Sequence, residues 1–233
     1  MIKKKTFLCV IAARGGSKGI PDKNIIELNN NPLIYYVIKA AKESDIFDRI
    51  IVSTDSEKIA IVSKECGAEV PFLRPDYLAS DDSIVEDTIV HALKHIEQHD
   101  KKYDYICFLQ PTSPLIRFTD IKKAIDLLFD KKSDMIVSVG ESPINIKWAR
   151  YLSNNGSMKN FSSEVCGTNR QCFENAYYLN GAIYLGKWDI FYNKKNYYKQ
   201  NTYAYVMPYS RSIDIDNYFD LKLVEFIMRE YDE

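Results

Sequence analysis

Apolar, β-branched runs alternate with stretches of helical period from Thr6 to Val139, and this alternation restricts the fold more than any other feature. The runs fall at 7–12, 49–55, 105–109 and 134–139, each closed by a polar turn. Between them, helices are expected from Leu33, with Asn31 as N-cap and Pro32 in the first turn, and over 56–63, with Gly67 as the C-cap glycine. Apolar residues at Ile84, Thr88, Ile89, Ala92, Leu93 and Ile96 predict a third helix over 83–99, and Thr119 caps a fourth over 120–130. Strands and helices that alternate with short connections build a mostly parallel sheet covered on both faces. The segment 68–73 is at best a short edge strand, because Pro71 has no N–H to donate.

The pattern breaks over 141–175, a polar segment without helical period in which Asn155-Gly156 reads as a hairpin turn. Strands resume at 179–185 and 202–207, a short helix is expected over 187–193, and an amphipathic helix over 217–230 closes the chain. The expectation is one Rossmann-like, doubly wound α/β domain over 1–233, with 141–175 an inserted β-arm. At 233 residues such a domain needs no disulfide or metal staple. A formal charge of −1 leaves no electrostatic footprint for nucleic acid or an anionic membrane, and no apolar run approaches a membrane span. Arg14 follows the apolar run 7–13 at once, which argues against a secretory leader. Five cysteines without a C-x-x-C pair suit a reducing compartment, so a cytoplasmic protein is expected.

The turn after the first strand carries the chemistry. Arg14-Gly15-Gly16-Ser17-Lys18-Gly19-Ile20-Pro21-Asp22-Lys23-Asn24 joins three glycines to three cations. It is neither a Walker A loop, since Ile20-Pro21 follows Gly19, nor the G-x-G-x-x-G dinucleotide fingerprint. Gly15, Gly16 and Gly19 are expected to turn with positive φ and bring backbone N–H groups to an anion. Arg14, Lys18 and Lys23 add full charges, which a mere tight connection would not need. A nucleoside triphosphate or a sugar phosphate is the implied ligand.

In open parallel sheets the ligand sits at the carboxyl ends of the strands, so 14–23, 53–55, 110–113 and 212–216 should meet in one crevice. If 212–216 is extended, Ile213 and Ile215 face the core while Asp214 and Asp216 share the other face, placed for one hard cation or two. The competing reading makes this a solvated edge with Asp216 capping the last helix. His91, His95 and His99 lie at i, i+4 and i+8, but without a zincin glutamate or a fourth ligand they read as a solvated helix face.

Taken together, these residues resemble the acylneuraminate cytidylyltransferase (CMP-sialic acid synthetase) family over nearly the whole chain. The matching motifs are the stretch 11–19, Lys23-Asn24, 51–55, Leu73-Arg74-Pro75, Leu78-Ala79-Ser80-Asp81, 110–115, 180–184 and 212–216. The resemblance implies that CTP and a nine-carbon 2-keto sugar acid give a CMP-sugar and pyrophosphate, with Mg²⁺ (or Mn²⁺). It implies that Ala12, Ala13, Arg14, Gly15, Gly16 and Ser17 hold the triphosphate and that Lys23 approaches the α-phosphate. Asn24, Arg74, Ala79, Ser80 and Asp81 then surround the nucleoside, and Asp214 and Asp216 carry the metal. Gln110, Asn180 and Tyr184 fall at the sugar. The 141–175 arm would form a homodimer and reach over the partner's site with Lys147 and Arg170 as cations for the sugar acid.

Two stretches depart from the sialate pattern: Tyr178-Leu179 replaces Arg-Pro before Asn180, and Asp82-Ser83-Ile84-Val85 replaces a small Ser/Ala-rich run. Legionaminic or pseudaminic acid therefore stays open as the sugar, as does 3-deoxy-octulosonate. A non-catalytic sugar-nucleotide binding protein on the same fold is the alternative from another class.

Overall fold

A computed structural model describes residues 5–144, 146, 149, 151–159, 174–199 and 201–231. In chain order the strands are β1 (Phe7–Ala12), β2 (Glu27–Leu28), β3 (Asn31–Pro32), β4 (Arg49–Ser53), β5 (Tyr105–Leu109), β6 (Met135–Glu141), β7 (Tyr177–Lys187) and β8 (Thr202–Met207). The helices are α1 (Leu33–Glu43), α2 (Glu57–Glu65), α3 (Val85–His99), α4 (Phe118–Asp130), α5 (Trp188–Tyr192) and α6 (Tyr218–Tyr231). Six strands form one sheet in the order β4-β1-β5-β7-β6-β8. Five run in the same direction, and β7 is antiparallel to both its neighbours.

Alternation along the buried strands divides the core. Phe7, Cys9 and Ile11 of β1 face α1, α2 and α4, whereas Leu8 and Val10 face α3 and α5. Helices thus cover both faces of the mostly parallel sheet, as expected. A third cluster positions the site: Leu221, Val224 and Met228 of α6 close on Ile20, Leu33, Leu115 and Ile215. That cluster anchors the far end of the glycine-rich loop beside the 212–216 turn.

Several local expectations change. Asn31 and Pro32 do not open α1; they pair with Leu28 and Glu27 as β3. Pro32 is extended (φ −64°, ψ 144°), and the first helical N–H, from Leu33, donates to the Ile26 carbonyl at 2.9 Å. A proline that fixes φ suits the residue before a helix as well as the first residue within it, so the dipeptide could not separate the two. Helix α4 starts one residue before Thr119, and the Asp120 carboxylate accepts the Arg117 N–H at 2.9 Å. Residues 212–216 belong to no strand; the Ile215 N–H donates to the Thr112 carbonyl at 2.9 Å, in the turn that follows β5.

Asn155-Gly156 does form a turn, with the Gly156 N–H bonded to the Ser153 carbonyl at 2.8 Å, but its flanks are not strands among the described residues. Most of the expected arm, including Lys147 and Arg170, lies outside the described residues. No helix among them is long and apolar enough to cross a membrane.

Candidate active site

The carboxyl ends of β1, β4 and β5 share one edge of the sheet because the three strands are parallel. Antiparallel β7 starts from that edge and β8 ends there, so the turns at 14–23, 110–113 and 212–216 converge. They enclose a cleft of about 360 Å³, whereas 53–55 lines no part of it and stands behind it. Ala12, Arg14, Gly16, Ser17, Lys23 and Asn24 line it from the glycine-rich loop. Arg74 and Asp81 line it from the 73–83 segment, Gln110 from the end of β5, and Asp214 and Asp216 from the turn before α6. A second cleft, about 400 Å³ between α1, α4 and α6, contains none of these turns.

The glycines act by close approach rather than by positive φ. Among the described residues the positive-φ glycines are Gly67, Gly156 and Gly181, which corrects the expectation for 15–19. A Cβ on Gly19 would lie 2.3 Å from the Asp216 carbonyl oxygen, so this glycine lets the cationic loop rest directly on the acidic turn. A Cβ on Gly16 would meet nothing within 4 Å, leaving the backbone open to the cleft. Asn24 is buried and donates its amide to the Arg14 carbonyl at 2.8 Å, which holds the loop's curve.

Lys23 reaches across the loop. Its ammonium donates to the Ile215 carbonyl at 2.8 Å and pairs with the Asp216 carboxylate at 3.3 Å. Asp216 is not the cap of α6. That role belongs to Asn217, whose side-chain oxygen accepts the Phe219 and Asp220 N–H groups at 2.8 and 3.1 Å. Asp220 completes the box by accepting from the N–H groups of Asp216 and Asn217. The Asp216 carboxylate is therefore exposed and turned toward Lys23. Asp214 is more enclosed. Its Oδ1 is buried without a hydrogen-bond partner among the described residues. Burial pushes its carboxyl above the usual range, opposed by a hydrogen bond from Thr112 and by Lys23, and reinforced by the charges of Asp216 and Asp220.

Arg14 and Lys18 converge on one anion, the Asp81 carboxylate, at 3.0 and 2.7 Å. Arg14 also donates to the Ser80 carbonyl at 3.3 Å. Lys18, followed by Arg14, holds Asp81 below its ordinary carboxylate range.

Other expected site residues stand behind the wall. Ala13 is fully buried and extends the β1–β4 ladder through the Ser53 carbonyl. The Gly15 N–H is directed to Asp55 rather than to the cleft. Ala79 follows the short 3₁₀ turn Asp76–Leu78 and does not line the cleft. Asn180, placed at the sugar by resemblance, is buried; its NH₂ donates to Ser212 Oγ at 3.1 Å and to Met207 Sδ, while its oxygen accepts from Ser138 Oγ at 2.6 Å. With its amide engaged, Asn180 ties β7 to β6 and to the turn that carries the aspartates. Tyr184 packs between Phe108 and Tyr197, where burial raises its hydroxyl to about 12. His91 meets the Phe72 ring edge-on at 5.0 Å and His95 lies tilted against it at 4.7 Å, and no metal-holding group of three His, Cys, Asp or Glu occurs among the described residues.

A doubly wound sheet with a cationic glycine loop and a carboxylate pair across one cleft defines a nucleotide-handling α/β protein. The chain belongs to the cytidylyltransferase family, whose model matches residues 8–230. It is 37% identical over 227 residues to the CMP-N,N'-diacetyllegionaminic acid synthase of Legionella pneumophila, covering 95% of this chain and 96% of the relative. It is 32% identical over 222 residues to the pseudaminic acid cytidylyltransferase of Campylobacter jejuni, covering 95% and 96%. The N-acylneuraminate cytidylyltransferase of Escherichia coli is 33% identical over 225 residues, 96% of this chain and 52% of that longer protein. A CMP:2-keto-3-deoxy-manno-octonic acid synthetase solved with CTP shares the fold, with a TM-score of 0.70 at 16% identity over 97% of this chain and 99% of that one.

Proposed function

We propose that the cleft transfers the cytidylyl group of CTP to the anomeric hydroxyl of a nonulosonic, nine-carbon 2-keto sugar acid, releasing pyrophosphate. The observation that carries this reading is the meeting of Arg14 and Lys23 with Asp214 and Asp216 across a single cleft, with Lys18 paired to the cleft residue Asp81, in a chain of this family. The hydroxyl oxygen bonds the α-phosphorus and loses its proton as the α–β P–O bond breaks. Such a displacement needs in-line positioning and positive charge around the phosphates, with no covalent intermediate on the protein. Arg14 and Lys18, now bridged by Asp81, would exchange that carboxylate for phosphate oxygens. Lys23, steadied by the Ile215 carbonyl, would face the α-phosphate.

The residues fit Mg²⁺ (or Mn²⁺). Asp214 offers a buried carboxylate oxygen without a partner among the described residues, and Asp216 offers an exposed carboxylate not used in capping. Two hard oxygen donors, with the remaining positions left to phosphate and water, suit a magnesium ion. When bound, it would neutralise charge on the α-phosphate and the departing pyrophosphate.

The relatives' substrates make pseudaminic, legionaminic and N-acylneuraminic acids the candidate sugars, with the eight-carbon 3-deoxy-octulosonate as a further one. Pyrophosphate release with this panel, using CTP and UTP in parallel, tests the reading. CTP is expected to be strongly preferred, because the buried guanidinium of Arg74 and the polar residues of the 78–83 turn that line the cleft would surround the nucleoside and penalise a mismatched base edge. Equal turnover with UTP would contradict it.

The reading extends to a homodimer in which the 141–175 arm completes the partner's site. Ile144, Tyr151, Leu152 and Met158 within that arm and Tyr177 and Leu179 just after it are exposed, an apolar set suited to burial against a second copy. Lys147 and Arg170 would then meet the sugar carboxylate across the interface. Mixing inactive Arg170→Ala and Lys23→Ala proteins should restore activity at one site of two. Heterodimers shown to have exchanged, yet still inactive, would count against the arm acting in trans. Free thiols at Cys9, Cys66 and Cys107 support a cytoplasmic setting.

A further inference from the structure

Asp55 lies one residue beyond the Thr54 that follows β4 and does not line the cleft, yet it touches both halves of the cleft's wall. Its Oδ1 accepts the Gly15 N–H at 3.1 Å and an Arg74 Nη2–H at 3.0 Å, and its Oδ2 lies 3.3 Å from the same Gly15 nitrogen. The Arg74 side chain is only 4% exposed. Its other anchors are Thr88 Oγ1 at 3.2 Å, through Nη1, and its own backbone N–H, which donates to the Thr54 carbonyl at 2.7 Å. A guanidinium this enclosed is costly without a counter-charge, and Asp55 supplies it. The same carboxylate takes up the Gly15 N–H and so turns the loop, leaving Gly16 and Ser17 as the residues that face the cleft. A Cβ on Gly15 would stand 3.2 Å from Asp55 Oδ2 and 3.1 Å from Ser56 Cβ, so the absent side chain is part of this contact.

We propose that Asp55 is a positioning residue for nucleotide binding: one carboxylate fixes the phosphate-facing loop through Gly15 and the nucleoside-facing guanidinium of Arg74, holding the two ends of the CTP site in register. This rests on the CTP reading above. A role confined to fold support would lower stability without changing the affinity of the folded protein. A positioning role has a different signature. It weakens the nucleotide and spares the sugar acid, which approaches from the Gln110 side.

The test is calorimetric titration of CTP into wild type and Asp55→Asn, with thermal melts and the sugar-acid KM measured alongside. Asparagine keeps the shape and an acceptor for Gly15 but removes the charge facing Arg74. Loss of one charge-assisted contact should raise the CTP dissociation constant about tenfold, with the sugar-acid KM unchanged. If Asp55→Asn does not fold, Asp55→Glu is read in the same way: it keeps the charge but moves it by one methylene, and should bind CTP more weakly than wild type. A variant that binds CTP like wild type overturns the role of Asp55, whatever its melting temperature. So does an equal loss for both substrates. Wild-type protein that binds no CTP would instead overturn the functional reading, and the Asp55 role with it.

Discussion

Asp214→Asn is expected to lower turnover with CTP by about 10²–10³-fold, the cost of losing one preorganised electrostatic contact at the reacting phosphates, while making the ligand-free protein melt higher at neutral pH. The two effects share a cause. Burial raises the Asp214 carboxyl above its ordinary value, and the neighbouring charges of Asp216 and Asp220 add to the shift. A carboxyl raised on folding contributes stability that is full below its unfolded-state pKa and is lost as pH rises through the folded-state value. At neutral pH the ionised group is therefore a liability that asparagine removes. Below about pH 4 the two proteins should melt alike. Melts across that range, beside steady-state rates, separate a functional carboxylate from a structural one. An unchanged rate, or a variant less stable at neutral pH, would contradict the assignment. Asp216→Asn should also slow turnover without unfolding α6, since Asn217 and Asp220 supply the cap.

Arg211→Ala is expected to destabilise the protein by about 3 kcal/mol, the lower end for breaking a buried ion pair, and to lower Tm by about 6–12 °C at this chain length. Asp120 is fully buried at the start of α4, and the Arg211 guanidinium is its charged partner. Without Arg211 the carboxylate is left with neutral donors among the described residues, the Tyr205 hydroxyl at 2.8 Å and the Arg117 N–H at 2.9 Å. Arg211 also ends the 3₁₀ turn Tyr209–Arg211 that leads into 212–216, so its loss should loosen the aspartate turn as well. Combining Arg211→Met with Asp120→Asn should recover much of the stability, because no buried charge is then left unpaired. A Tm within about 2 °C of wild type for Arg211→Ala, under 1 kcal/mol at this size, would show that the pair carries little.

The parts of this molecule that the sequence made legible are those set by local burial. The run Phe7-Leu8-Cys9-Val10-Ile11-Ala12 could only be a strand covered on both sides, and alternate residues do reach the two cores. Strand direction is a different matter. The run at 177–187 is apolar enough to be a strand, but its antiparallel course depends on where the polar 141–175 segment returns, and no residue within the run records that. The cationic character of the glycine-rich loop was legible from its residues, yet the use of its glycines was not. Gly19 is required by the Asp216 carbonyl, which lies almost two hundred residues away in sequence. The 53–55 turn was expected at the crevice, but the part played by Asp55 was not legible for the same reason: its partners Gly15 and Arg74 are brought to it only by the fold. Asn180 and Tyr184 carried a sugar-site expectation through the family motif, whereas their side chains here build the wall behind the cleft.

The central claim is that one cleft joins a cytidylyl group to a sugar acid. Phosphorus NMR of CTP incubated with wild-type protein, Mg²⁺ and a nonulosonic acid tests it most directly. The account predicts that the α-phosphorus of CTP becomes a CMP-sugar phosphodiester as pyrophosphate appears in equal amount, only when both the sugar acid and the divalent ion are present. Intact CTP with every acid in the panel, or hydrolysis to CMP at the same rate without any sugar, would contradict it.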